Sequence, residues 1–173
     1  NPFSEPGPTQ LLGIYLNDHR AQIVGELAVA ERCRSAHEGT QLAERLTRHI
    51  REVTVDRDAV DRILGHLGVG IDQPKSFAAA VGERIGRLKL NGRLFGQSPL
   101  SAVLELEGLV ASTQARHTMW RVLDECGAAV MPGEATDAAE RGAVAIDQLD
   151  GLRNHLHEMA DRAFADSGPD ERQ

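Results

Sequence analysis

Residues 40–68 decide the fold class and read TQLAERLTRHIREVTVDRDAVDRILGHLG. Their apolar side chains recur in steps of three and four residues, at Leu42, Leu46, Ile50, Val53, Val60, Leu64 and Leu67. That period is typical of an α-helix with one buried face. Thr40 is suited to cap the start of this helix, and Gly68 is suited to end it. The stretch therefore predicts one long amphipathic helix.

Three further long helices are predicted from the same pattern. The first runs from Thr9, as its N-cap, to about His37. The third opens at Ser98 and ends before Gly127, and the last follows a break at Pro132. Their apolar stripes are Leu12, Leu16, Ile23, Leu27 and Ala30; then Leu100, Val103, Leu104, Val110, Thr118 and Val122; then Val144, Leu149, Leu152, Leu156 and Met159. Because no segment shows the sustained alternation of a strand, the predicted fold class is all-α.

The lengths of the connections predict how these helices are arranged. Short breaks around Gly39 and Pro132 predict two antiparallel hairpins. The middle connection, residues 69–97, is long and contains a predicted short helix that begins near Asp72 and ends at Asn91. Such a connection can cross the full length of a bundle, which predicts a ferritin-like four-helix bundle of two hairpins joined by a crossover. An up-down-up-down bundle with an added small helix is the competing topology.

Composition is that of an ordinary globular domain. The chain has 173 residues, of which 41% are hydrophobic and 26% are charged. One bundle domain is expected at residues 9–165, between an extended or disordered segment at residues 1–8 and a flexible tail at residues 166–173. The net charge of −7 argues against general nucleic-acid binding.

Location and partners are predicted from features that the sequence lacks. No apolar run approaches the ~20 residues of a membrane helix. The N-terminal segment has neither the basic start nor the apolar stretch of a secretory signal. Cys33 and Cys126 lie outside any Cys-x-x-Cys motif, and two cysteines do not make a disulfide scaffold. We therefore expect a cytoplasmic protein without a membrane partner that can form a homodimer; the sequence indicates no particular small-molecule ligand.

Polar residues on the helical stripes raise the question of a metal centre. Ferritin-like di-metal proteins use Glu from two helices and a Glu-x-x-His motif from each of the other two. Here His49–Glu52 and His155–Glu158 have the reverse order, so that carboxylate bridge is not reproduced. The favoured interpretation has no metal, no cofactor and no assigned catalytic residue. The alternative is a divergent iron, manganese or zinc oxidoreductase whose candidate ligands are His19, Glu26, His49, Glu52, Glu107 and His155.

A structural role for some of these residues is the favoured hypothesis. His19 lies between Leu16 and Ile23 on the first apolar stripe, where a histidine is more often hydrogen-bonded than bound to a metal. Buried charges require paired neighbours, and the crossover is basic. A polar network that fastens the crossover to the bundle is expected to consist of Asp18, His19, Lys89, Arg93, Glu105 and Glu107.

Four short stretches of the chain resemble one protein family. They read YLNDH at residues 15–19, GRLKLNGR at residues 86–93, SPLS at residues 98–101 and LELE at residues 104–107. Together they resemble a group of actinobacterial proteins with a ferritin-like helical bundle, over residues 11–164. The resemblance implies the fold, but no activity, substrate or site residues. The functional hypothesis is a soluble ferritin-like bundle with a structural or interaction role, with the oxidoreductase as the alternative; whether the protein is an enzyme stays open.

Overall fold

The computed structural model describes residues 5–72, 83, 98–126 and 137–165. Within these residues the chain forms four long α-helices and no β-strand. The helices are α1 Pro8–Ala36, α2 Gln41–His66, α3 Pro99–Cys126 and α4 Ala138–Phe164. The predicted all-α class with four long helices is confirmed. None of these four helices carries an apolar stretch of the length that a bilayer requires.

The helices begin and end at residues whose local chemistry explains the boundary. At the start of α2, the Thr40 hydroxyl accepts a hydrogen bond from a backbone N–H three residues on, at 3.3 Å. Gly39 follows α1 and Gly68 follows α2, with φ angles of +79° and +66°. Glycine adopts this left-handed backbone without a side-chain clash, so both predicted stops are confirmed. α1 begins at Pro8, one residue before the N-cap predicted at Thr9, because proline fits the first helical position.

Ion pairs between helices give their relative directions. α1 packs against α2 and α3, and α4 packs against α3 and α2. Glu26 of α1 contacts Arg116 of α3, whereas Arg32, further along α1, contacts Glu105, which lies earlier in α3. α1 and α3 therefore run in opposite directions.

The contacts of α2 with α4 follow the same rule. Asp56 pairs with Arg141, whereas Arg45, earlier in α2, donates a hydrogen bond to the backbone carbonyl of Asp147, later in α4. α2 and α4 therefore also run in opposite directions. Because α1 reverses into α2 through a short turn and is antiparallel to α3, α2 and α3 run parallel. The start of α3 therefore lies at the same end as the start of α2.

The buried faces of α1, α2 and α4 follow the predicted stripes. Their fully buried apolar residues include Leu16, Ile23, Leu46, Val53, Val60, Leu64, Leu149 and Leu152. Burying side chains of this size is the main favourable contribution to helix association, at about 1.5–3 kcal/mol each. The helical period thus identified these three faces correctly.

The predicted face of α3 is correct in the first half of the helix and wrong in the second half. Val103 is buried and Leu104 and Val110 pack against the core, whereas Thr118 and Val122 are exposed. The buried apolar residues of the second half are instead Met119, Trp120 and Leu123. Four buried polar residues interrupt the apolar pattern of the buried face, among them Thr113 and Arg116. A stripe assigned from apolar residues alone therefore leaves the buried face in the second half of α3, where some buried positions are polar.

The start of the crossover is fastened to α1 by one amide side chain. Asn17 donates from Nδ2 to the Gly70 carbonyl at 2.9 Å and accepts from the Asp72 N–H at 3.0 Å. One turn earlier on α1, Gly13 leaves room for Val69: a Cβ at Gly13 would lie 2.7 Å from a Val69 methyl carbon. Apart from residue 83, residues 73–97 lie outside the described part of the chain, and so does the short helix predicted there.

The two cysteines provide a test of the helix directions. Both are free thiols; Cys33 is buried near the end of α1, and Cys126 is exposed at the end of α3. Because Glu105 lies level with the end of α1, Cys126 is about 30 Å along α3 from that level. Burial and the neighbouring Glu105 raise the pKa of the Cys33 thiol far above its usual range.

We therefore expect one thiol to react in the folded chain. A thiol reagent such as dithionitrobenzoate should titrate Cys126 rapidly, and Cys33 only after unfolding, because a buried thiol of raised pKa forms little thiolate. Mild oxidation should give no intramolecular bridge, since a disulfide requires Cα atoms within about 7 Å. Recovery of a Cys33–Cys126 peptide from the folded monomer would contradict the antiparallel arrangement of α1 and α3.

Candidate functional site: a buried arginine–carboxylate network

Polar side chains from all four helices meet in the protein interior. They are Glu26 of α1, His49 and Asp56 of α2, Thr113 and Arg116 of α3, and Gln148 of α4. All six are buried, and Glu26 and Asp56 are fully shielded from solvent. Buried charges are costly unless they are paired and hydrogen-bonded, so the pairing within this network decides what it can do.

Arg116 is the centre of the network. Its Nε donates to Glu26 Oε2 at 3.2 Å, and its Nη2 donates to Glu26 Oε1 at 3.1 Å. Nη1 donates to Asp56 Oδ2, and Nη2 also donates to Gln148 Oε1 at 2.7 Å. The planar fork of five N–H donors allows one guanidinium to connect α3 to the other three helices.

The Glu26 carboxylate is approached from three sides. Besides Arg116, the Thr113 hydroxyl donates to Oε1 at 2.9 Å, and His49 Nε2 lies 2.8 Å from the same oxygen. The His49 contact is short, but its angle is outside the range of a well-formed hydrogen bond. Burial raises the pKa of Glu26, but Arg116 and His49 outweigh burial and lower the pKa to about 2. Glu26 is therefore ionised at neutral pH.

Asp56 is paired with two arginines. Its Oδ2 accepts from Arg116, and its Oδ1 accepts from Arg141 Nη1 of α4 at 3.2 Å. Burial raises the pKa of Asp56, and the two arginines lower it by less. Arg141 also lies 3.9 Å from Glu52 at the edge of the network. With two carboxylates facing two guanidinium groups, the formal charges around Arg116 balance.

The helical repeat explains why these residues point to the same place. Glu26 lies three residues after Ile23 and three before Val29, on the buried face of α1. His49 and Asp56 are seven residues apart on α2, which places them on one face. Each polar residue occupies an interior position of its helix, and the network lies between two apolar clusters of the core.

The six candidate metal ligands are not brought together. Glu26 and His49 are in contact, and Glu52 lines the same side of α2 as His49. His19 stacks edge-on against Tyr15, with ring centroids 4.5 Å apart. The other two candidates are elsewhere: Glu107 is exposed and His155 lies 3.5 Å from Glu158. In the described ranges, no three His, Cys, Asp or Glu side chains are grouped as a metal site would need.

The predicted fastening network lies only partly within the described residues. Asp18 is exposed, and Glu105 is buried against Arg32 of α1, with 2.7 Å between Nε and Oε1. Glu107 is exposed, so the burial expected for its charge is wrong. The residue that holds the start of the crossover is Asn17, the neighbour of Asp18. Lys89 and Arg93 lie outside the described residues, so their pairing stays a prediction.

The comparisons with known proteins do not add a family. No family model matches the chain, and neither a curated protein nor a solved structure matches it significantly. The resemblance to ferritin-like bundles therefore rests on the quoted sequence stretches alone and stays a prediction.

Sequence reasoning missed the centre of the network, although a signal was present. Arg116 lies seven residues after Leu109 and seven before Leu123, so all three share one side of α3. A charged residue in phase with buried leucines marks an interior charge, which in turn requires carboxylate partners on the other helices. Of these partners, Glu26 and Asp56 both stand on correctly predicted helices.

The arrangement favours fixed electrostatics over acid–base chemistry at Glu26. Its carboxylate is ionised, buried and held by Arg116 and Thr113, so it has no solvent-facing oxygen to exchange protons with a substrate. His49 and Gln148 are the members of the network that also line an open groove. A ligand that entered the groove would therefore meet the network at these two residues.

Proposed function

We propose that this chain is a ferritin-like four-helix bundle with a structural or ligand-binding role, in which an arginine takes the interior position that metal ions occupy in the di-metal members of that architecture. One observation carries the proposal: the Arg116 guanidinium is buried between the carboxylates of Glu26 and Asp56. In ferritin-like di-metal proteins the inward-facing carboxylates are ligands to the metal. Here the inward-facing carboxylates are already neutralised.

The directions of the helices support the ferritin-like part of the proposal. A crossover between two hairpins requires that the second and third helices run parallel, whereas an up-down-up-down bundle requires them to run antiparallel. The pairs Glu26–Arg116 and Arg32–Glu105 fit the first arrangement. The connection of residues 67–98 is also long enough for a crossover, since it exceeds the length of either hairpin turn.

The side chains of the interior do not fit a di-metal centre. A divalent cation beside Glu26 and Asp56 would face the Arg116 guanidinium at short range, and repulsion between like charges is strong where water is excluded. His49 is the one imidazole in contact with the network, and its near carboxylate is already paired. We therefore derive no oxidoreductase step for this protein.

Metal analysis tests the proposal. Protein purified without chelators is expected to contain iron, manganese and zinc far below one ion per chain, and added metal should not raise its melting temperature, because ligand binding to the folded state would do so. Stoichiometric metal that is lost in Glu26→Gln and His49→Gln, but kept in the exposed control Glu125→Gln, would overturn the proposal. The expected homodimer and cytoplasmic location stay predictions.

A further inference from the structure

A groove runs between α2 and α4, next to the buried network. The two helices meet at few points along this face, and the space between them has a volume of about 490 Å³. That volume is within the range of small-molecule sites, about 300–1,000 Å³. Its walls are formed chiefly by Arg45, Arg48, His49 and Arg51 of α2 and by Ala143 and Val144 of α4.

The α2 wall carries two arginines without an ion-pair partner among the described residues, whereas Glu52 on the same wall lies 3.9 Å from Arg141 of α4. Arg45 is occupied, since its Nη2 donates to the Asp147 carbonyl at 3.0 Å and its guanidinium lies directly over Gly151. Arg48 and Arg51 are exposed in the groove and form no ion pair within the part of the chain that the structure describes. Two neighbouring guanidinium groups without carboxylate partners favour an anion, which they can bind through charge-assisted hydrogen bonds.

His49 provides a second and independent sign of a ligand. The residue lines the groove but is 2% exposed, and its Nε2 lies 2.8 Å from Glu26 Oε1. Its other ring nitrogen, Nδ1, is buried and has no hydrogen-bond partner in the described structure. Buried polar atoms are nearly always satisfied, so an unpartnered one beside a cavity points to a missing donor or acceptor. In the imidazole tautomer that carries its proton on Nε2, the nitrogen nearer Glu26, Nδ1 is an acceptor.

The α4 wall orients what the groove can hold. Ala143 and Val144 give it an apolar surface, while Glu140 and Asp147 place negative charge along the exposed part of that wall. These carboxylates repel an anionic group and so direct it toward Arg48 and Arg51. Gln148 fixes the base of the groove, because its Oε1 accepts from Arg116 and its Nε2 donates to the His49 carbonyl at 3.3 Å.

We propose that the groove binds a small organic anion that also carries a hydroxyl or amine hydrogen. Its carboxylate or phosphate lies between Arg48 and Arg51, its short carbon chain covers Ala143 and Val144, and its hydroxyl or amine donates to His49 Nδ1. The site is separate from the carboxylates of the network, so it stands whether or not the interior is metal-free. Carboxylate and phosphate are both suited to the arginine pair, and their affinities can be compared with one probe of each kind.

Three probes titrated into ¹⁵N-labelled protein test the site: glycerol 3-phosphate, lactate and sulfate. We expect at least one of the two hydroxyl-bearing anions to shift the His49 ring nitrogens and the Arg48 and Arg51 side-chain signals saturably. Sulfate carries the charge but no donor, and it should bind about tenfold more weakly, as expected for one lost hydrogen bond to a buried group. The tighter of the two organic probes identifies the anionic group that the arginines prefer.

Matched arginine variants complete the test. Arg48→Gln combined with Arg51→Gln should weaken the binding of the tighter organic probe roughly tenfold or more, because both charged donors are removed. Arg57→Gln, on the same helix but outside the groove, should leave it within about twofold. All three side chains are on the surface side of α2, so these variants should fold. Failure of both organic probes to saturate, equal affinity for sulfate, or unchanged binding by the double variant would each overturn the proposal.

Discussion

Arg116→Met is expected to lower the free energy of unfolding by about 3–5 kcal/mol, since removal of one partner leaves buried charge uncompensated. Glu26 and Asp56 are both fully shielded from solvent; Glu26 loses its only arginine partner among the described residues, and Asp56 loses one of two. Methionine fills much of the same volume, so a large loss would reflect charge and hydrogen bonding rather than a cavity. Urea denaturation followed by the single tryptophan, Trp120, measures the change.

The matched control for this variant is Arg121→Met on the same helix. Arg121 and Glu125 form an exposed pair, both with 60% of the side chain accessible, and such pairs contribute about 0–1 kcal/mol. Arg116→Lys is expected to fall between the two, because lysine keeps the charge but cannot donate to Glu26, Asp56 and Gln148 from one planar fork. Equal losses for Arg116→Met and Arg121→Met would contradict the central role of Arg116.

Much of the fold was predictable because the sequence marks helix ends with local chemistry. Thr40, Gly39 and Gly68 act through their own backbone or side chain, so their effect needs no knowledge of the other helices. The buried faces of α1 and α2 were equally predictable, because apolar residues such as Leu16 and Ile23 in α1 and Leu46 in α2 recur on one side of each helix. These features depend on residues a few positions apart.

The face of α3 could not be read in that way over its full length. The exposed Val122 gives the outer side of its second half an apolar appearance, while Thr113 and Arg116 give its buried side a polar one. Periodicity assigns polar residues to solvent, which holds for most charged side chains and fails for a paired arginine. Arg116 is buried because carboxylates of other helices pair with it, and the apolar period of α3 gives no information about those helices.

The network itself was beyond local reasoning because its partners are distant in the chain. Arg116 contacts Asp56 and Glu26, which are 60 and 90 residues away. Glu26 and His49 were predicted as alternative metal ligands. In the structure, the cation beside Glu26 is the Arg116 guanidinium. A carboxylate on a buried stripe indicates that a cation is needed, and it leaves open whether a metal or an arginine supplies it.

His49 connects the interior network to the groove. Nε2 contacts Glu26, while Nδ1 has no hydrogen-bond partner among the described residues, and His49 lines the groove together with Arg48 and Arg51. A ligand that donates to Nδ1 would therefore polarise an imidazole whose other nitrogen faces a fixed anion. In the tautomer with its proton on Nε2, that proton lies on the side of the ionised Glu26 and Nδ1 is the acceptor.

Acidification is expected to remove about 3 kcal/mol of stability through Glu26 alone. Burial raises the pKa of this carboxyl, but Arg116 and His49 outweigh burial and lower it to about 2, against 4.5 as its ordinary value. A group whose pKa is lower in the folded state contributes stability that is present above the unfolded pKa. That contribution is lost as the pH falls from about 4.5 toward about 2. Asp56 acts in the opposite direction, because burial raises its pKa and acid relieves the cost of its charge.

Comparison with Glu26→Gln separates the two carboxyl groups. The difference in unfolding free energy between the native chain and Glu26→Gln should shrink by about 2 kcal/mol between about pH 6 and about pH 3, since the native chain alone loses the ionised Glu26. Asp56 is present in both proteins, so its opposite contribution largely cancels. Glu125→Gln provides the control, because the exposed Glu125 should leave the difference nearly independent of pH. A difference for Glu26→Gln that stays constant over this range, or that grows toward low pH, would show that the carboxyl is not held ionised by Arg116 and His49.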